Sequence, residues 1–251
     1  MRIIRYQGAD QKIHTGWVVD DMVGEIEGSI FGEYKRKDIS LPFTKVKLLP
    51  PCQPGKIVCV GRNYVEHARE QNSDVPTLPL LFLKPSTALI AHSEEIVLPQ
   101  QSKQVEFEGE LAVVIGKRIT KASLPLDRSA ILGYTIANDV TARDLQRSDL
   151  QWTRAKGFDT FCPLGPWIDT DFDPSDALIT THLNGVMRQM ASTKDMIFSI
   201  PQLIVFISSI MTLEPGDIIL TGTPAGVGAI SVGDGVRVTI DGLGELYNPV
   251  A

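Results

Sequence analysis

The segment Val105-Glu-Phe-Glu-Gly-Glu-Leu-Ala-Val-Val-Ile115 constrains the fold more than any other stretch of the chain. Glu106, Glu108 and Glu110 recur at every second residue, the period of a β-strand, whose alternate side chains share one face. The acids run directly into five apolar residues that suit a covered strand. Three carboxylates on one face beside a buried sheet repel one another unless a cation neutralises them, and ligands that are all oxygen suit a hard ion such as Mg²⁺ or Mn²⁺. The competing reading is a solvated edge strand, which often carries Glu.

The rest of the composition narrows the classes of function. At 251 residues the chain sits at the upper edge of a single domain, which predicts one large core with a small appendage. Lys and Arg number 24 against 30 Asp and Glu, a net charge of −6, and no basic tract is present. Nucleic acid and anionic membranes both require clustered cations to displace counterions, so neither is expected as a partner, and small polar molecules are. The most apolar stretch, Ser199 to Met211, contains Pro201 and Gln202 and falls short of the ~18 apolar residues that cross a bilayer. Met1-Arg-Ile-Ile-Arg-Tyr-Gln7 alternates polar and apolar residues and lacks the continuous apolar stretch of a signal peptide, so a cytoplasmic location is expected. Cys52, Cys59 and Cys162 are odd in number and lack C-x-x-C spacing, which points to reduced, structural thiols.

Along the chain, 2–6, 14–19 and 22–26 predict a meander of three short strands, split by turn residues at Gly8-Ala-Asp10 and Asp20-Asp21. Pro42, Pro50, Pro51 and Pro54 remove backbone donors and predict a semi-rigid connector over 41–54, hence a boundary near residue 50 between a small N-terminal β domain (1–50) and a catalytic domain (51–251). Beyond it, 56–60, 110–115 and 131–138 predict strands, 63–71 a short helix, and 141–152 a helix with Thr141 as its N-cap. Pro201 suits the first turn of a helix ending near Met211. The C-terminal third predicts strands over 217–220, 236–240 and 244–248. The class is therefore α+β and β-rich.

Four further segments carry candidate chemistry. In Asn138-Asp-Val-Thr-Ala-Arg-Asp144, Asp139 ends an apolar strand just before a helix, where an acid either caps the helix or serves a site. In Gly61-Arg-Asn-Tyr-Val-Glu-His67-Ala-Arg-Glu70, His67 and Glu70 stand at i and i+3 on one helical face, and a carboxylate beside an imidazole makes a general base. A surface histidine with a chance acidic neighbour is the plain alternative. Gly216-Asp-Ile-Ile-Leu-Thr-Gly-Thr-Pro-Ala-Gly-Val-Gly228 ends a strand in a glycine-rich loop without the G-K-[ST] ending of a nucleotide P-loop; its amides and its Thr221 and Thr223 hydroxyls suit either a carboxylate ligand or a tight turn. Lys156 and Arg143 are cations close to these acids in sequence, and a Lys before Gly is commonly a solvated turn residue. No G-x-S-x-G elbow is present, which disfavours serine hydrolase chemistry.

Together, Val60-Gly-Arg-Asn-Tyr-Val-Glu-His67, Leu81-Phe-Leu-Lys-Pro-Ser86, Glu108-Gly-Glu-Leu-Ala-Val-Val-Ile-Gly116, Asn138-Asp-Val-Thr-Ala-Arg-Asp144, Lys156-Gly-Phe-Asp159, Met196-Ile-Phe-Ser199 and Gly216-Asp-Ile-Ile-Leu-Thr-Gly-Thr-Pro224 resemble, in that order, the fumarylacetoacetate hydrolase family. The resemblance runs from about residue 55 to the end, and the first 50 residues resemble the small N-terminal domain of prokaryotic members only loosely. It implies a mixed β-roll core, a homodimer and one divalent cation, Mg²⁺ or Mn²⁺, per subunit. It places Glu108, Glu110 and Asp139 on the metal carboxylates and leaves Glu106 as a solvated strand residue. It sets His67 and Glu70 on the catalytic dyad of a lid helix, with Lys156 as the active-site lysine. Arg62, Tyr64, Arg143, Gln146, Gly222 and Thr223 fall in segments that bind substrate.

The substrate class so implied is a 2-oxo or 2-hydroxy-2-enoic acid. The leading expectation is C–C hydrolysis of an acylpyruvate, with water activated by His67 and enolate charge stabilised by the ion and Lys156. A 2-hydroxyhepta-2,4-diene-1,7-dioate isomerase is the runner-up and an oxaloacetate decarboxylase the third reading, because fold alone does not choose among them. A metal-binding protein without turnover would lack the dyad, and both its residues are present.

Overall fold

The acid-led segment resolves into the strand Gly109–Ile115, buried along its whole length because both faces are covered. Leu111, Val113 and Ile115 enter one apolar core, while Ala112 and Val114 enter a second on the opposite face. The strand Ile57–Gly61 does the same, with Val58 and Val60 on the first side and Ile57 and Cys59 on the second. Each fully buried Ile, Leu or Val contributes on the order of 1.5–3 kcal/mol, so these two-sided strands anchor the fold. The helix Ile200–Ile210 closes the first core with Ile200, Leu203, Ile204 and Ile207, an i, i+3, i+4, i+7 stripe.

The computed structural model describes all 251 residues and shows a β-rich α+β chain, 43% strand and 16% helix. One large sheet runs, strand by neighbouring strand, through Tyr34–Pro42, Met22–Gly28, Ile13–Val19, Arg2–Gln7, Cys162–Asp169, Ile131–Asn138, Gly109–Ile115, Ile218–Leu220, Ile57–Gly61 and Leu80–Lys84. Lys47–Leu49 and Leu89–Ile90 pair at its side. Most neighbours are antiparallel, but Ile218–Leu220 and Ile57–Gly61 run parallel, so the sheet is mixed. A four-stranded sheet, Val186–Ser192, Leu178–Leu183, Gly235–Ile240 and Gly244–Pro249, covers the first core. A third, small sheet is formed by Thr141–Ala142, Val105–Phe107 and Gly228–Ala229.

The predicted meander is present as Arg2–Gln7, Ile13–Val19 and Met22–Gly28, and it joins the main sheet where Arg2 and Ile3 pair with Asp169 and Ile168. The proline-rich stretch carries more regular structure than a connector: the strand Tyr34–Pro42 ends at Pro42, a 3-10 turn spans Phe43–Lys45, and Lys47–Leu49 pairs with the first strand. Proline at a strand end removes no ladder bond, which is why the strand survives there.

The predicted helix over 141–152 is corrected. Thr141–Ala142 form a short bridge strand, Ala142 is the N-cap, and two short helices follow, Arg143–Ser148 and Thr153–Lys156. Thr141 donates its hydroxyl to the Asp139 carbonyl at 2.8 Å, a local turn that competes with capping. The three glutamates do not share one continuous strand either. Val105–Phe107 and Gly109–Ile115 belong to different sheets, and Glu108 lies at the break between them.

Candidate metal and substrate site

Three strand ends deliver the acids. Glu108 sits at the break just described, Glu110 one pleat further on, and Asp139 immediately after Ile131–Asn138, the neighbour of Gly109–Ile115. The Asp139 amide donates to the Glu108 carbonyl at 2.8 Å, and the Glu108 amide to the Asn138 side chain at 2.9 Å, so the two chain ends fix one another. One oxygen from each of Glu108, Glu110 and Asp139 falls within 4.8 Å of the others, and all three residues are buried.

Buried cations thread this cluster. Lys156, read from sequence as either an active-site or a turn residue, is buried, and its Nζ lies 2.9 Å from Glu108 Oε2 and 2.7 Å from Asp139 Oδ2. Lys84 was not expected in the site. It ends the strand Leu80–Lys84, and its Nζ donates to Asp139 Oδ1 at 2.7 Å and to the Val140 carbonyl at 3.2 Å. In sequence it is a cation closing an apolar run, inside the segment Leu81-Phe-Leu-Lys-Pro-Ser86 that carries part of the family resemblance, and its partner lies 55 residues further on.

The carboxylates differ electrostatically. Burial would raise Glu108, but the charges of Lys156 and Arg143 outweigh it and hold this carboxyl well below the usual range. Glu110 moves the other way. Burial, then the nearby Asp139 and Glu108 charges, push it well above its ordinary value, and the Lys156 charge and the Gly222 amide at 2.6 Å only partly offset them. Burial would depress Lys156, yet Asp139 and Glu108 together raise it. Oxygen-only donors, mutual proximity and one carboxyl that no cation directly contacts together fit a hard divalent ion, which Glu108, Glu110 and Asp139 would hold.

The second group of predicted residues surrounds these acids. A pocket of about 200 Å³ is walled by Glu108, Glu110, Asp139 and Lys156 together with His67, Arg62, Arg143, Gln146 and Thr223. His67 lies on the helix Val65–Glu70, its Nδ1 3.2 Å from Glu70 Oε2, so the i, i+3 pair forms as expected. Burial opposes charge on Glu70, but the bonds from His67 and from the Gly226 amide, the latter at 3.0 Å, lower it below the ordinary carboxylate range. An ionised Glu70 fixes which imidazole nitrogen carries the proton. Thr223 donates to the Gly109 carbonyl at 2.9 Å and accepts from Gln189 Nε2 at 2.8 Å, which ties the glycine-rich loop to the hairpin strand Val186–Ser192. Gln189 had no sequence signal.

Three residues sit differently from the sequence reading. Tyr64 is buried, does not wall the pocket, and its hydroxyl has no partner; burial raises it above the usual phenol range. The Gly222 amide donates to Glu110, so it holds an acid of the cluster instead of pointing to a substrate. Glu106 is only 7% exposed and accepts from Arg143 Nε at 2.7 Å, which overturns its reading as a solvated strand residue. The three cysteines are free and buried, as expected, and burial pushes Cys52 and Cys162 up to about 12.

This geometry meets a direct match in sequence: residues 56–251 correspond to the fumarylacetoacetate (FAA) hydrolase C-terminal family. The chain belongs to the fumarylacetoacetate hydrolase family. Residues 1–51 match a second family, described as Rv2993c-like, N-terminal. Among fumarylacetoacetate hydrolase family relatives, the oxaloacetate tautomerase FAHD2B, mitochondrial, of Bos taurus is 44% identical over 223 residues, 84% of this chain and 71% of that protein. The crystal structure of 2-hydroxyhepta-2,4-diene-1,7-dioate isomerase from Mycobacterium marinum is 46% identical and superposes with a TM-score of 0.91, covering 100% of this chain and 98% of the other. The 5-carboxymethyl-2-hydroxymuconate delta-isomerase structure from Mycobacterium smegmatis is 45% identical with a TM-score of 0.93, covering 100% and 99%. Members of the family are enzymes, with hydrolase, isomerase and tautomerase activities represented. No helix is long and apolar enough to cross a membrane.

Proposed function

We propose that this chain is a divalent-metal-dependent enzyme that relocates a proton on a short 2-oxo or 2-hydroxy-2-enoic acid through its enolate. The observation that carries the reading is the meeting of Glu108, Glu110 and Asp139 within 4.8 Å at the wall of a pocket that also holds Lys156 and the His67–Glu70 pair. A bound Mg²⁺ or Mn²⁺ would supply electrophilic stabilisation of the developing enolate charge.

The chain's own residues supply the remainder. Arg143 and Arg62 on the pocket wall attract the substrate carboxylate, and the Lys156 ammonium stands where negative charge builds on the 2-oxygen. His67, with its tautomer fixed by ionised Glu70, takes a proton from the carbon next to the carbonyl and returns it at the new position. Burial of the acids and Lys156 keeps water from screening these charges. The isomerase and tautomerase relatives, 46% and 44% identical, support proton relocation ahead of the hydrolysis that the sequence alone favours.

C–C hydrolysis of an acylpyruvate is the second reading, favoured by the same dyad, since His67 can activate water in place of carbon acid. Oxaloacetate decarboxylation ranks third. A turnover screen with Mg²⁺ or Mn²⁺ over 2-hydroxydienedioates, oxaloacetate and acylpyruvates tests the choice. Faster enol–keto exchange or dienoate isomerisation than hydrolysis is the expected result; acylpyruvate cleavage as the dominant activity would replace this reading with the second.

A further inference from the structure

Glu106 completes the period-two acid pattern of the sequence but takes no part in the carboxylate cluster. Its environment is nonetheless built. Glu106 is 7% exposed on the strand Val105–Phe107, and both its oxygens are used: Oε2 accepts from Arg143 Nε at 2.7 Å and Oε1 from Gln104 Nε2 at 2.6 Å. Gln104, two residues earlier, accepts from Arg147 with its own side-chain oxygen. Glu108, two residues later, accepts from Arg143 Nη2.

Arg143 and Arg147 lie one turn apart on the helix Arg143–Ser148, at i and i+4, and both wall the pocket. Gln104, Glu106 and Glu108 therefore form a ladder along the chain that meets two arginines along one helix face. Gln146 closes the last edge, accepting from Arg143 Nη1 at 2.6 Å.

We infer that Glu106 is a positioning residue for substrate binding, acting through Arg143 and, by way of Gln104, through Arg147; this rests on the reading of the pocket as a 2-oxo acid site. The physical reason lies in Glu108. An arginine beside one buried carboxylate gives it the whole of its charge and closes onto it, and here that carboxylate belongs to the acid cluster. Glu106 takes the Nε–H edge, so the guanidinium is shared between two acids and its plane is fixed by hydrogen bonds on Nε, Nη1 and Nη2. A held guanidinium presents the same remaining N–H donors, one on each of Nη1 and Nη2, to every incoming carboxylate, and the cost of ordering it is met in folding instead of in binding. Glutamine at 106 has one acceptor oxygen for the two donors Arg143 Nε and Gln104 Nε2 and carries no charge, so the bond on Nε is lost or weakened and nothing competes with Glu108 for the guanidinium.

The test uses the full chain with Mg²⁺ or Mn²⁺ and the substrate on which the wild type is most active. Glu106→Gln should raise KM roughly tenfold or more, the scale of one buried charge-assisted hydrogen bond, with kcat within about threefold of wild type. In ¹⁵N-arginine-labelled protein, one Nε–H resonance protected from exchange should lose its protection in Glu106→Gln and be missing in Arg143→Lys. In a double-mutant cycle the KM effect of Glu106→Gln should largely vanish in the Arg143→Lys background. A wild-type KM in Glu106→Gln overturns the inference, as does an elevated KM with the protected resonance unchanged. If the wild type neither binds nor turns over any 2-oxo acid, the functional reading falls while the resonance still decides whether Glu106 holds Arg143.

Discussion

Lys84 and Glu106 are buried charges whose partners lie 55 and 37 residues away in the chain, and neither could be placed from sequence. Period two puts the three glutamates on one face of one strand, and that does not hold: the strand breaks at Glu108, because its two parts pair into different sheets, and Glu106 stays outside the cluster of Glu108, Glu110 and Asp139. His67 and Glu70 were legible because i, i+3 spacing on a helix is a local rule. If His67 is the base, His67→Ala should lower turnover by roughly 10² to 10⁴ with divalent-ion affinity retained, and Glu70→Gln should lower it less, since Glu70 only orients the ring. Steady-state kinetics beside an ion titration checks this, and wild-type turnover in His67→Ala would remove the base. The cysteines give a pH prediction. With folded values up to about 12 for Cys52 and Cys162 against roughly 8.5 when unfolded, the thiols favour the fold below pH ~8.5, and that contribution is lost as pH rises between ~8.5 and 12. A thiol reagent near pH ~8 should find no reactive cysteine in native protein and three after denaturation; a rapid native reaction would contradict the burial argument.

At the scale of elements, the long two-sided strands were plain in the sequence, whereas the edge strand Tyr34–Pro42 and the hairpin Leu178–Leu183 with Val186–Ser192 were not foreseen. Those strands are mixed in composition, and tertiary pairing decides their fate more than local propensity does. The hairpin bears on the site. Gln189 accepts from the Gly109 amide at 3.0 Å and donates to Thr223 and to the Pro224 carbonyl, so it holds the glycine-rich loop against the acid strand. Further along this loop Gly226 has φ +101°, and an added Cβ would stand 2.0 Å from the Arg188 carbonyl oxygen. That backbone cannot give way without moving the hairpin, while the Gly226 amide is what steadies Glu70. Gly226→Ala should therefore cost about 1–3 kcal/mol of stability and reduce turnover by roughly tenfold to a hundredfold, through displacement of Glu70. Denaturant unfolding and kinetics on the same sample measure both effects, and full activity in Gly226→Ala would show that loop and dyad are uncoupled.

For the whole molecule, the main sheet ends at Leu80–Lys84, where Leu80 and Leu83 are exposed, and the hairpin leaves Val186, Met187 and Met190 exposed. A second copy of the chain is the partner proposed for such surfaces, so light scattering should give a mass of about 55 kDa, twice 27.5 kDa; monomer alone at micromolar concentration would refute it. The cation site has a global consequence as well. Glu108 and Glu110 flank the start of one strand and Asp139 follows the end of its neighbour, beside Lys84 from the sheet edge and Lys156 from a helix, so an ion there joins segments that separate on unfolding. A ligand that binds only the folded state at a hundred times its Kd adds about 2.7 kcal/mol, which for a chain of this length raises Tm by roughly 5–10 °C. Mn²⁺ or Mg²⁺ added to chelator-treated protein should produce that shift. Glu110→Gln should abolish it while leaving a folded protein, because Glu110 is already the carboxyl that burial and its neighbours push toward the neutral form. A Tm indifferent to both ions, or an undiminished shift in Glu110→Gln, would move the cation away from these three carboxylates.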